Sequence, residues 1–98
     1  MKLSAILARI RRCFRAKEYK ISAHALEELA SDDLDFEDLR SILLGGKIET
    51  RFTEDLRGAR YEVAGLAIDG RKACVVCRFV SGVLQIITVY VADLDTIQ

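Results

Sequence analysis

The chain has no proline, no internal repeat and no low-complexity segment, so nothing in it marks a linker between domains. No apolar run approaches the ~20 residues that a bilayer-spanning helix needs. The basic start is not followed by an apolar core with a small-residue cleavage site. No signal peptide is therefore expected, and the expected location is the cytoplasm, away from membranes. Net charge is absent as well: fifteen Lys and Arg balance fifteen Asp and Glu. That balance favours a protein partner over wholesale attraction to nucleic acid. There is no Walker motif, no Gly-rich dinucleotide loop and no serine-nucleophile motif, which excludes those chemistries. Only one histidine is present, His24. No carboxylate–histidine set accompanies it, so neither a metal nor a cofactor is expected.

Cysteine is scarce and wrongly spaced for a staple. Cys74 and Cys77 form a Cys-x-x-Cys, which invites a zinc or redox reading. They fall inside a predicted strand, where positions three apart face opposite sides. Their Cα atoms would lie about 10 Å apart, beyond the ~7 Å limit for a disulfide. Buried strand thiols are the better reading.

What is present points to one globular domain. The 98 residues are 51% hydrophobic, enough for a core without staples. Charge is segregated: residues 1–20 hold seven Lys/Arg and one acid, and residues 27–38 hold seven acids and no base. Such blocks either mark partner surfaces or neutralise each other within the fold. Leu3, Ile6, Leu7, Ile10 and Phe14 predict a basic amphipathic helix over residues 3–15, within an N-terminal segment 1–18. Its apolar stripe is expected to pack on the domain or to join a second copy as a homodimer.

Residues 19–98 read as an α+β domain. A short extended link precedes Ser22, a natural N-cap for a helix over 23–31. Asp35 caps a third helix over 36–44, and Gly45-Gly46 is expected to end it with one glycine left-handed. Residues 47–53 alternate as a strand. Residues 60–90 then hold three β-branched runs separated by Asp69-Gly70 and Ser81-Gly82, both read as two-residue hairpin turns. In the last run Leu84, Ile86, Thr88 and Tyr90 are expected on one face, with Gln85, Ile87, Val89 and Val91 on the other. The expected architecture is a four-stranded antiparallel meander with the helices packed on it, ending in a frayed tail over 93–98.

Several stretches in order carry a more specific signal. These are Ile21-Ser-Ala-His24-Ala-Leu-Glu-Glu28, Asp33-Leu-Asp-Phe-Glu-Asp38, Leu44-Gly-Gly-Lys-Ile48, Arg60-Tyr61, Asp69-Gly70-Arg71, Val75-Val-Cys-Arg78 and Ile87-Thr88-Val-Tyr90. Over residues 19–91 the chain resembles the domain-of-unknown-function 4258 family of small bacterial proteins. The resemblance implies an α+β fold similar to RelE-like and MqsR-like messenger-RNA interferases. It also implies a toxin role opposite an antitoxin with a helix-turn-helix and sometimes a zinc ribbon. The chain departs from that pattern at Glu28, where many members have Arg. It departs again at Ala73, Cys74 and Val75, where many have a strand histidine. Both changes remove positive charge.

Two functions of different class follow. The first is a metal-independent endoribonuclease. His24 would be its general base or acid, near a helix start whose dipole keeps the imidazole neutral. Arg60 and Arg78 would clamp phosphate, and Tyr90 would exchange a proton. Tyr61, Thr88 and Glu28 would form the substrate-binding surface, with Tyr61 stacking on a splayed base and Glu28 one helical turn from His24. The plainer account makes His24 a capping or packing residue, Tyr61 and Tyr90 core, and Glu28 a solvated helix acid. The second function is a non-catalytic module whose sheet and basic helix dock a protein.

Overall fold

A computed structural model describes residues 2–54 and 56–92, so the tail at 93–98 lies outside the described residues. The meander is present as β2 (Lys47–Phe52), β3 (Arg60–Leu66), β4 (Lys72–Val80) and β5 (Val83–Val91), each antiparallel to the next. Ser81 and Gly82 both have positive φ, 50° and 80°, the pairing a two-residue hairpin turn requires. The Asp69-Gly70 hairpin is looser than expected. Only Gly70 has positive φ there, and Ala67 N–H pairs with the Arg71 carbonyl around a three-residue loop. Asp38 is the reason, because its carboxylate accepts from Ile68 N–H at 2.9 Å and anchors the loop to a helix.

The sheet has five strands and is mixed, which corrects the four-stranded antiparallel expectation. The link before Ser22 is a strand, β1 (Tyr19–Ile21), parallel to β5, giving the order β1-β5-β4-β3-β2. A three-residue strand has too little periodicity to read. It exists because β5 offers an unpaired edge: Leu84 N–H donates to Glu18 C=O, and Ser22 N–H to Ile86 C=O.

A bulge in β5 corrects the expected faces. Cys77 pairs with Ile86 but Val76 pairs with Thr88, leaving Ile87 extra. The alternation changes phase there. Leu84, Ile86 and Val89 enter the core, with Val91 packed against it. Gln85, Thr88 and Tyr90 pair with Arg78, Val76 and Cys74 on the other face.

One face of the sheet carries all three helices. In α1 (Leu3–Arg15), Ile6, Ile10, Cys13 and Phe14 are buried in the chain's own core. Arg11 reaches the Leu43 and Gly46 carbonyls at 3.3 and 2.8 Å, tying α1 to the end of α3. The stripe over residues 3–15 thus packs on the domain except at Leu3, which is 43% exposed. In α2 (Ala23–Ser31), Ser22 accepts from Ala25 N–H as the N-cap. In α3 (Phe36–Gly45), Asp35 and Asp38 form a reciprocal capping box. Gly46 is not left-handed; its φ is −86°. Glycine is needed for close approach instead, since a Cβ there would lie 2.4 Å from the Ala64 carbonyl oxygen and 2.5 Å from that of Ile42. Part of the acidic run is structural, since Asp35 and Asp38 cap α3, and the backbone of the run is held as well. Arg71 binds the carbonyls of Asp32 and Asp33 at 2.7 and 2.9 Å, pinning the α2–α3 loop to the β3–β4 hairpin.

Candidate active site

Register places polar side chains in rows across the face opposite the helices. Thr50, Glu62, Val76 and Thr88 form one row over β2, β3, β4 and β5. Phe52 pairs with Arg60 and Arg78 with Gln85. The Tyr61–Cys77 pair leaves Arg60 and Arg78 next in register, so the two arginines stand on adjacent strands. Ala64, Cys74 and Tyr90 make the third row.

These side chains are joined by hydrogen bonds. Thr50 Oγ1 donates to Glu62 Oε1 at 3.1 Å, and the Tyr90 hydroxyl donates to Glu62 Oε2, bridging over β4. Glu62 is the main cause of a strongly raised Tyr90 pKa, with burial and Cys74 adding to it. The phenol therefore stays protonated and acts as a donor. Arg60 lies 5.2 Å from the centre of the Phe52 ring. Arg78 is buried and Tyr90 is exposed.

The row continues off the sheet edge. Past the end of β1, β5 has no strand neighbour on its outer edge, and α2 takes that place. Ser22 Oγ donates to the Ile87 carbonyl at 2.8 Å. Glu28 Oε1 accepts from Val89 N–H at 2.9 Å and also from Thr88 Oγ1. His24 Nε2 lies 3.3 Å from the same Glu28 oxygen, and the His24 side chain is 68% exposed. The result is a solvent-facing imidazole oriented by a carboxylate that the sheet itself fixes, the base-and-orienter arrangement of acid–base sites.

The structure therefore brings His24 within 3.3 Å of the Glu28 carboxylate that Thr88 and Val89 bind. It sets Tyr90, Arg60 and Arg78 on the same open face, with β5 standing between α2 and the arginine pair. Tyr61 is on the other side, 8% exposed and packed against Phe79, so it does not line this face. Sequence reasoning missed Glu62 and Thr50. The signal was available: Glu62 is an acid between Tyr61 and Val63 in an apolar strand, where a charge needs a partner. Cys74 and Cys77 face opposite sides. Burial raises both thiols, Cys77 to about 12, so neither is a ready nucleophile. Among the described residues no group of three or more His, Cys, Asp or Glu is placed to hold a metal. Among them, too, no helix is long and apolar enough to cross a membrane.

Fold and site together define a small α+β domain with a helix-covered mixed sheet and a polar open face. The chain belongs to the family described as "Domain of unknown function (DUF4258)", whose model matches residues 21–91. Neither the curated proteins nor the solved structures offer a match to it.

Proposed function

We propose that the chain is a toxin-type, metal-independent endoribonuclease whose fold is akin to the RelE-like interferases. The observation that carries this reading is the His24–Glu28–Thr88 chain at the rim of the open face. Cleavage without a metal needs a base for the 2′-hydroxyl, charge opposite the phosphate and a donor toward the developing oxyanion. His24 takes the 2′-hydroxyl proton, with Glu28 and Thr88 as positioning residues. The 2′-oxygen then bonds to phosphorus as the bond to the 5′-oxygen breaks, and the leaving 5′-oxygen takes a proton from water. Arg60 meets the phosphate, Arg78 adds positive charge from beneath the face, and Tyr90 turns its single O–H from Glu62 to the phosphate. The protein partner this implies is a cytoplasmic antitoxin with a helix-turn-helix, in some pairs with a zinc ribbon.

The test is cleavage of single-stranded RNA with chelator present. His24→Ala should slow it by about 10²–10⁴-fold without lowering the melting temperature. Replacing the 2′-hydroxyl at the scissile nucleotide should abolish it. Undiminished cleavage or toxicity with His24→Ala would sink the reading.

A second reading has its own observation. Phe52, Leu66, Val80 and Tyr90 are 37%, 57%, 38% and 37% exposed, and strand register puts all four on the open face. A non-catalytic module docking a protein through this face would use them as its apolar contacts. In that case RNA stays intact, and Leu66→Asp abolishes partner binding.

A further inference from the structure

A concave site lies away from the open face, where the end of α1, the start of β1 and α3 meet. It encloses about 330 Å³ and is lined by Phe14, Arg15, Lys17, Tyr19, Phe36 and Arg40. Its three aromatic rings are within 27° of parallel. Phe14 lies 4.8 Å from Tyr19 and 5.6 Å from Phe36, centre to centre, and Tyr19 lies 6.3 Å from Phe36. Phe14 is buried, but Phe36 is 44% exposed at the first position of α3. The lining holds three cations and no carboxylate.

Helix and loop chemistry do not demand this composition. α1 ends with Glu18 N–H bonded to the Cys13 carbonyl and Lys17 N–H to that of Phe14. This end places Lys17 at φ 62°, a position that glycine fills with least strain. A lysine stands there at a cost, and it lines the cavity beside the aromatic cluster. Phe36 likewise exposes a large ring where a polar residue would start the helix as well.

We propose that this cradle is a stacking subsite for one nucleotide of single-stranded RNA. A base would lie against the exposed Phe36 ring, and its flanking phosphates would meet Arg15, Lys17 and Arg40. Aromatic platforms rimmed by cations bind single strands in this way, because every base has a π-face and every nucleotide a phosphate. The size fits one planar ring and its phosphate, at the small end of ligand sites, which span about 300–1,000 Å³. Tyr19 opens β1, and Ser22, which caps α2, follows its last residue. The cradle and His24 therefore flank one three-residue edge strand. The choice of RNA over DNA rests on the ribonuclease reading; the stacking site itself does not.

The chain contains no tryptophan, so Phe36→Trp introduces a single reporter. A 2′-O-methyl oligoribonucleotide of eight residues is the probe, because it binds without being cleaved. Its addition should quench the Phe36→Trp fluorescence. In anisotropy titrations Phe36→Ala should weaken binding by roughly 5- to 150-fold. Arg15→Gln and Arg40→Gln should each reduce the slope of log Kd against log salt by about 0.7. Absence of quenching overturns the proposal, as does wild-type affinity and salt slope in these variants. Displacement of the probe by an equal concentration of an acidic peptide also overturns it, in favour of an acidic protein ligand. Quenching by the probe without cleavage of unmodified RNA keeps the cradle and removes the ribonuclease reading. Cleavage without quenching does the reverse.

Discussion

The two faces of the sheet are built on different physics. The helix side is apolar volume: Ile10, Leu39, Ile42, Leu43, Leu84 and Ile86 are almost wholly removed from water. The open side is a hydrogen-bonded surface, in which Thr50, Glu62 and Tyr90 interlock over β4 and Glu28 seals the β5 edge. Each face buries one charged side chain, Asp38 toward the helices and Arg78 on the open side. Stability is concentrated on the first face, and the second is free to be chemically specific. A folded domain can lose polar groups from the open face at little thermodynamic expense, while each core methyl group counts.

The sharpest way to break this comparison is a pair of truncations. Leu43→Ala should cost about 2–5 kcal/mol in denaturant unfolding, because the site cannot collapse fully. Val76→Ala, mid-sheet on the open side, should cost clearly less. Val76 is itself only 6% exposed, so equal losses would mean that the polar side chains over it pack as tightly as the helices do.

Asp38 gives the next largest effect and links stability to pH. Hydrogen bonds from the Asp35 and Ile68 N–H groups are the chief causes holding its carboxyl below the usual carboxylate range. A depressed folded pKa means the contribution is fully present above the unfolded value of about 3.9, and is lost as pH falls through the folded value. Wild type should therefore lose stability steeply below about pH 4. Asp38→Asn should be less stable at neutral pH by about 1–3 kcal/mol and flatter in acid. Parallel acid-unfolding curves would remove Asp38 as the anchor.

On the open face, Glu62→Gln should cost about 0.5–1.5 kcal/mol. Its more telling effect is on Tyr90, whose phenol should titrate at lower pH in an ultraviolet absorbance titration. An unmoved phenol would show that Glu62 does not hold it. The smallest effect belongs to the turn that joins β4 to β5. Ser81→Asn, better suited to positive φ, should raise stability by a few tenths of a kcal/mol.

Much of the helix-covered face was legible because periodicity reports burial directly. The stripe Ile6, Ile10, Phe14 and the caps Ser22 and Asp35 stand where the sequence predicts. The meander was legible from its turn dipeptides. β1 was not, because three residues carry no pattern and the strand depends on an edge 65 residues away. The β5 faces were misread because Ile87 looks like any other strand residue; a bulge is a property of the pair, not of one strand. His24, Arg60, Arg78 and Tyr90 could be named as candidates from their residue types alone. Its connections were not. Glu28 binds Thr88 and Val89 across sixty positions, which no local spacing reveals.

Ile87, the extra residue of the β5 bulge, makes this strand unevenly sensitive to length. Removing Ile87 itself would set Thr88 directly after Ile86, and plain alternation would keep Thr88 and Tyr90 on the open face and Val89 in the core. Such a deletion should cost only the local twist that the bulge adds. A one-residue deletion elsewhere in β5 has no extra residue to absorb it and would carry the side chains beyond it to the opposite face. The polar face is therefore most vulnerable to changes of length outside the bulge.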